Sequence, residues 1–66
     1  MYYLYDFYED SIEKIGAFET VEEATAAARE RDEETDGECD LGLTRSEIVF
    51  NDDGTLTIDI VEDWRY

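Results

Sequence analysis

From Tyr2 to Tyr8 the chain is dense in aromatic residues, and Tyr3, Tyr5 and Phe7 recur at every second position. Tyrosine and phenylalanine favour strands, so this run predicts a strand with its 3/5/7 face turned to the core. Asp6 takes the opposite face, between Leu4 and Tyr8, which assigns that face to solvent and leaves Tyr2 and Tyr8 partly exposed. Glu9-Asp10-Ser11 reads as a turn, and Ile12 to Phe18 returns as a second strand. Its apolar residues hold no single parity, and Gly16 within it marks a bulge or a close backbone approach.

The period then changes. Thr20-Val21-Glu22-Glu23 is a capping box, in which the Thr20 hydroxyl accepts from the Glu23 amide. Glu22 and Glu23 also sit where carboxylates favour the positive end of a helix dipole. The following Ala24 to Arg31 is rich in strong helix formers. Val21, Ala24, Ala27, Ala28 and the stem of Arg31 share one face at spacings of three and four, and Gly37 is a natural stop. Small alanines let such a helix lie close on an aromatic sheet.

Cys39, Leu41 and Leu43 alternate with Asp40 and Gly42, which fits a short strand or an extended connector. Ile48-Val49-Phe50 and Leu56 to Val61 flank Asn51-Asp52-Asp53-Gly54. This predicts a hairpin closed by a type I turn with a G1 bulge at Gly54. Its second arm would turn Leu56, Ile58 and Ile60 inward and Thr57 and Asp59 to water. The expected architecture is α+β: a single domain over residues 1–66, ordered β-β-α-β-β, with one helix on one face of a small antiparallel sheet.

Composition narrows what such a domain does. Twenty Asp and Glu stand against five Lys and Arg, with no histidine, for a net charge of −15 and a pI of about 4.1. That much negative charge also favours disorder, but 42% apolar residues, nine aromatics and no proline favour a fold. A chain this short buries only ~60% of its unfolded surface, and self-repulsion lowers its stability further. The charge excludes direct binding to DNA or RNA and to anionic membranes. No apolar run reaches the ~20 residues of a spanning helix, and the N-terminus lacks the basic and apolar parts of a signal peptide. A single cysteine, Cys39, forms no internal disulfide and fits a reducing, cytoplasmic setting.

Catalytic chemistry finds little footing. Paired carboxylates ~5–10 Å apart serve glycosidases, but any acidic surface supplies that distance and a domain this small rarely encloses a cleft. Without histidine, Cys39 has no activating base, and Lys14 and Arg45 are only conceivable electrostatic activators. Cys39 reads as a small buried hydrophobe, and one cysteine cannot hold zinc. Setting Gly54 sixth in an EF-hand loop puts Val49 first and Ile60 twelfth, and neither side chain ligates calcium. The four glycines never cluster into a phosphate-binding loop. The expectation is a non-enzyme with no cofactor and no metal.

The acids are spread along the chain. On a helix, side chains three or four apart lie ~5–6 Å from each other, so a folded domain displays ordered negative charge at spacings comparable to nucleic-acid phosphates. Glu30, Glu33, Glu34 and Asp36 are the first candidates for contacting a partner, and Asp52 and Asp53 the second. Tyr2, Tyr8, Trp64 or Tyr66 could add desolvated anchors. In size, charge and absence of catalytic groups, with Glu30-Arg31-Asp32-Glu33-Glu34-Thr35-Asp36 as its most typical stretch, the chain resembles the small acidic phage inhibitors that mimic nucleic acid. These include many anti-CRISPR proteins and inhibitors of restriction enzymes or DNA glycosylases.

The resemblance is one of class and implies a basic nucleic-acid-binding partner, such as a CRISPR effector subunit, met by a monomer or weak homodimer in the host cytoplasm. Two other readings stay open. Abundant dispersed acids with four Arg to one Lys also suit a cytoplasmic protein of a high-salt organism, or a generic acidic domain. A small dimeric scaffold would pair through sheet edges or through the Tyr-rich strand.

Overall fold

The computed structural model describes residues 1–64. Strands β1 (Tyr2–Phe7) and β2 (Ile12–Phe18) are followed by helix α1 (Val21–Glu34) and strand β3 (Leu41–Thr44). Two short strands, β4 (Val49–Phe50) and β5 (Leu56–Thr57), complete the order. The first three strands form an antiparallel sheet in the order β2-β1-β3, and β4 and β5 form a separate hairpin. The fold is a small α+β domain, as the pattern of residues predicts.

β1 lies at the centre of its sheet, so the Tyr-rich strand offers no free edge for pairing with another copy. Tyr8 N–H donates to Ser11 O at 2.8 Å and closes the predicted turn around Glu9 and Asp10. Leu4 opposes Gly16 while Tyr5 opposes Lys14, so Ile15 is the extra residue of a bulge beside Gly16. Beyond β3 the chain returns along its outer side. Thr44 pairs with Ile60, Arg45 N–H donates to Asp59 O, and Val61 N–H donates to Leu43 O.

The core face of β1 differs from the sequence expectation. Leu4, Ala24, Ala28 and Leu43 form the fully buried cluster, and Tyr2, Ile15, Phe18, Val21, Leu41, Val61 and Trp64 pack around it. The helix therefore covers the 2/4/6 face of β1, not the 3/5/7 face. Asp6 misleads a parity argument because it is itself buried, at 2% exposure, and paired. Tyr3, Tyr5 and Phe7 lie on the opposite side. There Tyr5 is buried by the segment after β3 and accepts from Ile48 N–H at 3.1 Å. Phe7 lies across β3, where a Cβ on Gly42 would come within 2.5 Å of its ring.

Helix α1 begins as its capping box predicts, with Thr20 Oγ1 accepting from Glu23 N–H at 3.2 Å. Its end is a Schellman motif: Gly37 N–H donates to Asp32 O at 2.9 Å and Asp36 N–H to Glu33 O at 3.4 Å. The first left-handed position of the stop is therefore Asp36, at φ 55°, and Gly37 follows it at φ 80°. Cys39 is half-buried just ahead of β3, with its Sγ 3.8 Å from Asp32 Oδ1.

The C-terminal hairpin turns as expected. Gly54 N–H donates to Asn51 O at 3.1 Å, Asn51 N–H donates to Thr55 O at 2.9 Å, and Gly54 takes φ 86°. Its strands are shorter than expected and its apolar side chains do not turn inward. Leu56, Ile58 and Ile60 are all exposed, as are Val49 and Phe50, and it is Val61 and Trp64, beyond them, that reach the core. The reason is width. A helix ~10 Å across covers two or three strands spaced ~4.8 Å apart, and the first three strands use all of it. The hairpin projects instead, giving extents of 36 × 25 × 19 Å. The radius of gyration is 11.9 Å, against about 10.8 Å for a compact chain of this length.

Candidate partner-binding surface

The helix acids stand on one exposed flank. Glu33 and Glu34 follow Glu30 at spacings of three and four, Asp36 extends the row into the cap, and all four are exposed. The guanidinium of Arg31, in the same stretch, turns inward. Its Nη2 lies 3.2 Å from Asp6 Oδ2, 3.1 Å from Glu13 Oε2 and 2.8 Å from the Tyr8 hydroxyl, and its Nε donates to Asp6 Oδ2 at 3.3 Å. The second Asp6 oxygen accepts from Asp40 N–H at 3.2 Å. This cluster fixes the end of α1 to the end of β1, so the acids beyond it are displayed from an anchored backbone.

The same cluster sets two titrations. The Tyr8 phenol is raised above its ordinary value by desolvation and by the Asp6 and Glu13 charges, while the Arg31 hydrogen bond pulls the other way. Desolvation disfavours the Arg31 cation, yet the bonds to Tyr8 and Asp6 and the Glu13 charge outweigh it and raise its pKa.

The hairpin acids divide. Asp52 is exposed at the tip of the turn. Asp53 is exposed too, but its Oδ1 accepts from Thr55 Oγ1 at 2.6 Å and from Thr55 N–H at 3.0 Å, which lowers its pKa. Asp53 therefore has a local task in the turn. The hairpin acids and the helix acids form no single patch: α1 covers the Leu4/Asp6 face of the sheet, and the hairpin strands sit near Phe7 of the other face.

Most of the charge is unneutralised. Lys14 pairs with Glu47, Arg31 with Asp6 and Glu13, and Arg45 with Asp59. Of the twenty acids, sixteen meet no basic side chain among the described residues. Lys14 also stands over the Tyr3 ring at 5.1 Å, and Arg45 donates to Ile60 O, so both are engaged away from Cys39. No group of three or more His, Cys, Asp and Glu placed to hold a metal occurs among the described residues.

The aromatic anchors sort by burial. Tyr2 and Trp64 pack on the core, where Trp64 Nε1 donates to Thr25 Oγ1 at 3.0 Å. Tyr8 is 45% exposed, and Tyr66 lies outside the described residues. Sequence reasoning missed the apolar side of the hairpin, where Phe50 is 72% exposed. An open groove of about 420 Å³ runs between Phe50, Leu56 and Ile58 of this segment and Phe7, Tyr8 and Ile12 of the first hairpin, with Glu9 and Asp10 at its side. The available signal was the single alanine-rich helix, too narrow to shelter a five-stranded sheet. No protein family, characterised protein or solved structure matches the chain.

Proposed function

We propose that the chain is a non-catalytic acidic inhibitor that occupies the basic nucleic-acid-binding surface of another protein and excludes its DNA or RNA. The observation that carries this reading is the set of sixteen acids without an ion-pair partner among the described residues, held on an ordered scaffold. A basic groove binds such a surface for the reason it binds phosphates: opposite charge steers the encounter, and close pairs form once the groove is filled. Glu30, Glu33 and Glu34 supply the helix row, Asp36 extends it into the cap, and Asp52 presents its charge separately on the hairpin. Asp53 contributes field while serving the turn.

No helix among the described residues is long and apolar enough to cross a membrane. The compartment we assign is the cytoplasm, where a basic effector of the CRISPR type would be met and where a lone cysteine stays reduced. The test is displacement of a labelled oligonucleotide from a panel of purified basic nucleic-acid-binding proteins, CRISPR effectors among them. The expected result is displacement from at least one at low salt, weakening steeply as salt rises. Failure to displace DNA or RNA from every member would overturn the reading.

A further inference from the structure

We propose that the groove between the two hairpins docks an apolar side chain presented by a basic segment of the partner protein. The proposal takes from the preceding reading only that the partner is basic. Its own basis is the exposed apolar cluster. Val49, Phe50, Leu56 and Ile58 stand open on a projecting hairpin, and Phe50 and Leu56 face Phe7, Tyr8 and Ile12 across a concave opening of about 420 Å³. A small domain gains nothing in stability from leaving these residues in water, and exposed apolar patches of this kind mark interaction sites.

Charge selects the occupant. Glu9 and Asp10 line the groove itself, and Asp52 and Asp53 stand in the turn that joins its two strands. A second copy of this chain would bring another −15 to the contact, so like-charge repulsion opposes self-docking. A segment in which Lys or Arg flanks an aliphatic residue matches both parts: the aliphatic side chain enters the groove and the cations meet its acidic sides. The groove thus provides the desolvated anchor for this segment, while the helix acids, on the other side of the sheet, pair with the rest of the basic surface and add only their field at the groove.

The experiment uses two probes, a Lys-rich peptide carrying two Leu and the same peptide with Ser in place of Leu. Binding to the isotope-labelled chain is followed by NMR. The Leu peptide is expected to bind about ten-fold more tightly than the Ser peptide, on the scale of one buried aliphatic side chain, with shifts centred on Phe7, Ile12, Phe50 and Leu56. Phe50→Ser should remove that preference with the melting temperature unchanged, since Phe50 is exposed, whereas Glu33→Lys should weaken both peptides alike. Equal affinity for the two peptides, no binding of either, shifts confined to the helix, an unaltered preference in Phe50→Ser, or burial of the groove in a homodimer by sedimentation would overturn the proposal. Oligonucleotide displacement tests the mimicry reading separately, whichever peptide binds better.

Discussion

Arg31 and Asp6, twenty-five positions apart in the chain, form a two-point contact, with Nε and Nη2 lying 3.3 and 3.2 Å from the same Oδ2. Asp6 is 2% exposed and the Arg31 side chain 23%, so the carboxylate has little water to fall back on. Arg31→Met strands that buried acid and is expected to cost about 2–4 kcal/mol, allowing for the partial exposure of the arginine. The double variant Asp6→Leu/Arg31→Met should recover part of the loss. Urea denaturation of the four proteins checks this, and an additive double variant would show that the two residues are not coupled.

The helix stop holds a correctable strain. Asp36 sits at φ 55°, where an L-residue costs ~1–2 kcal/mol relative to glycine. Asp36→Gly should therefore stabilise the fold by about 0.5–1 kcal/mol, despite the greater freedom of glycine in the unfolded chain. A melting temperature that falls in this variant would show that the Asp36 side chain itself supports the cap.

Asp53 provides a pH test. Its carboxyl is held below its ordinary value by the side-chain and backbone donors of Thr55. A depressed folded pKa contributes stability that is present above the unfolded value of ~3.9 and lost as pH falls through the folded value. Carbon-detected NMR should find Asp53 titrating below 3.8, and Thr55→Ala should return it toward that value. Titration at the ordinary value in the parent chain would contradict the hydrogen-bonded turn.

Salt separates hydration of a high-salt protein from display of charge. Raising ionic strength from about 0.01 to about 1 M shortens the Debye length from about 30 to about 3 Å and relieves repulsion among the sixteen acids that form no ion pair among the described residues. The melting temperature should rise with salt, while unfolding stays cooperative at the low end. Loss of the fold in dilute buffer, followed by circular dichroism, would favour the high-salt reading instead.

Local chemistry was legible in the sequence at two places where near neighbours complete a residue's task. Thr20 with Glu23 starts the helix, and Asn51 with Gly54 turns the second hairpin, as their spacing predicts. What depends on distant partners was not legible. Asp6 marks the solvent face of β1 until Arg31, brought in by the helix, turns its burial into a pairing. Leu41 and Leu43 fit a strand or a connector until β1 offers an edge, and Gly42 between them leaves room for Phe7. Alternation in the last arm identifies Leu56, Ile58 and Ile60 as one face but cannot say that no layer covers it. The six acids singled out for a partner are all exposed, yet Asp53 acquires a structural task and the hairpin pair stands apart from the helix row.

The central claim is that ordered charge on α1 competes with nucleic acid. It is tested most directly by displacement of a labelled oligonucleotide from a basic nucleic-acid-binding protein that the parent chain displaces, repeated with Glu30→Lys/Glu33→Lys. Both positions are exposed and without an ion pair among the described residues, so the variant should fold as well as the parent or slightly better. The account predicts loss of displacement by the folded variant, on the order of a hundred-fold for two desolvated charge contacts. A folded double reversal that displaces the oligonucleotide as well as the parent chain would contradict it.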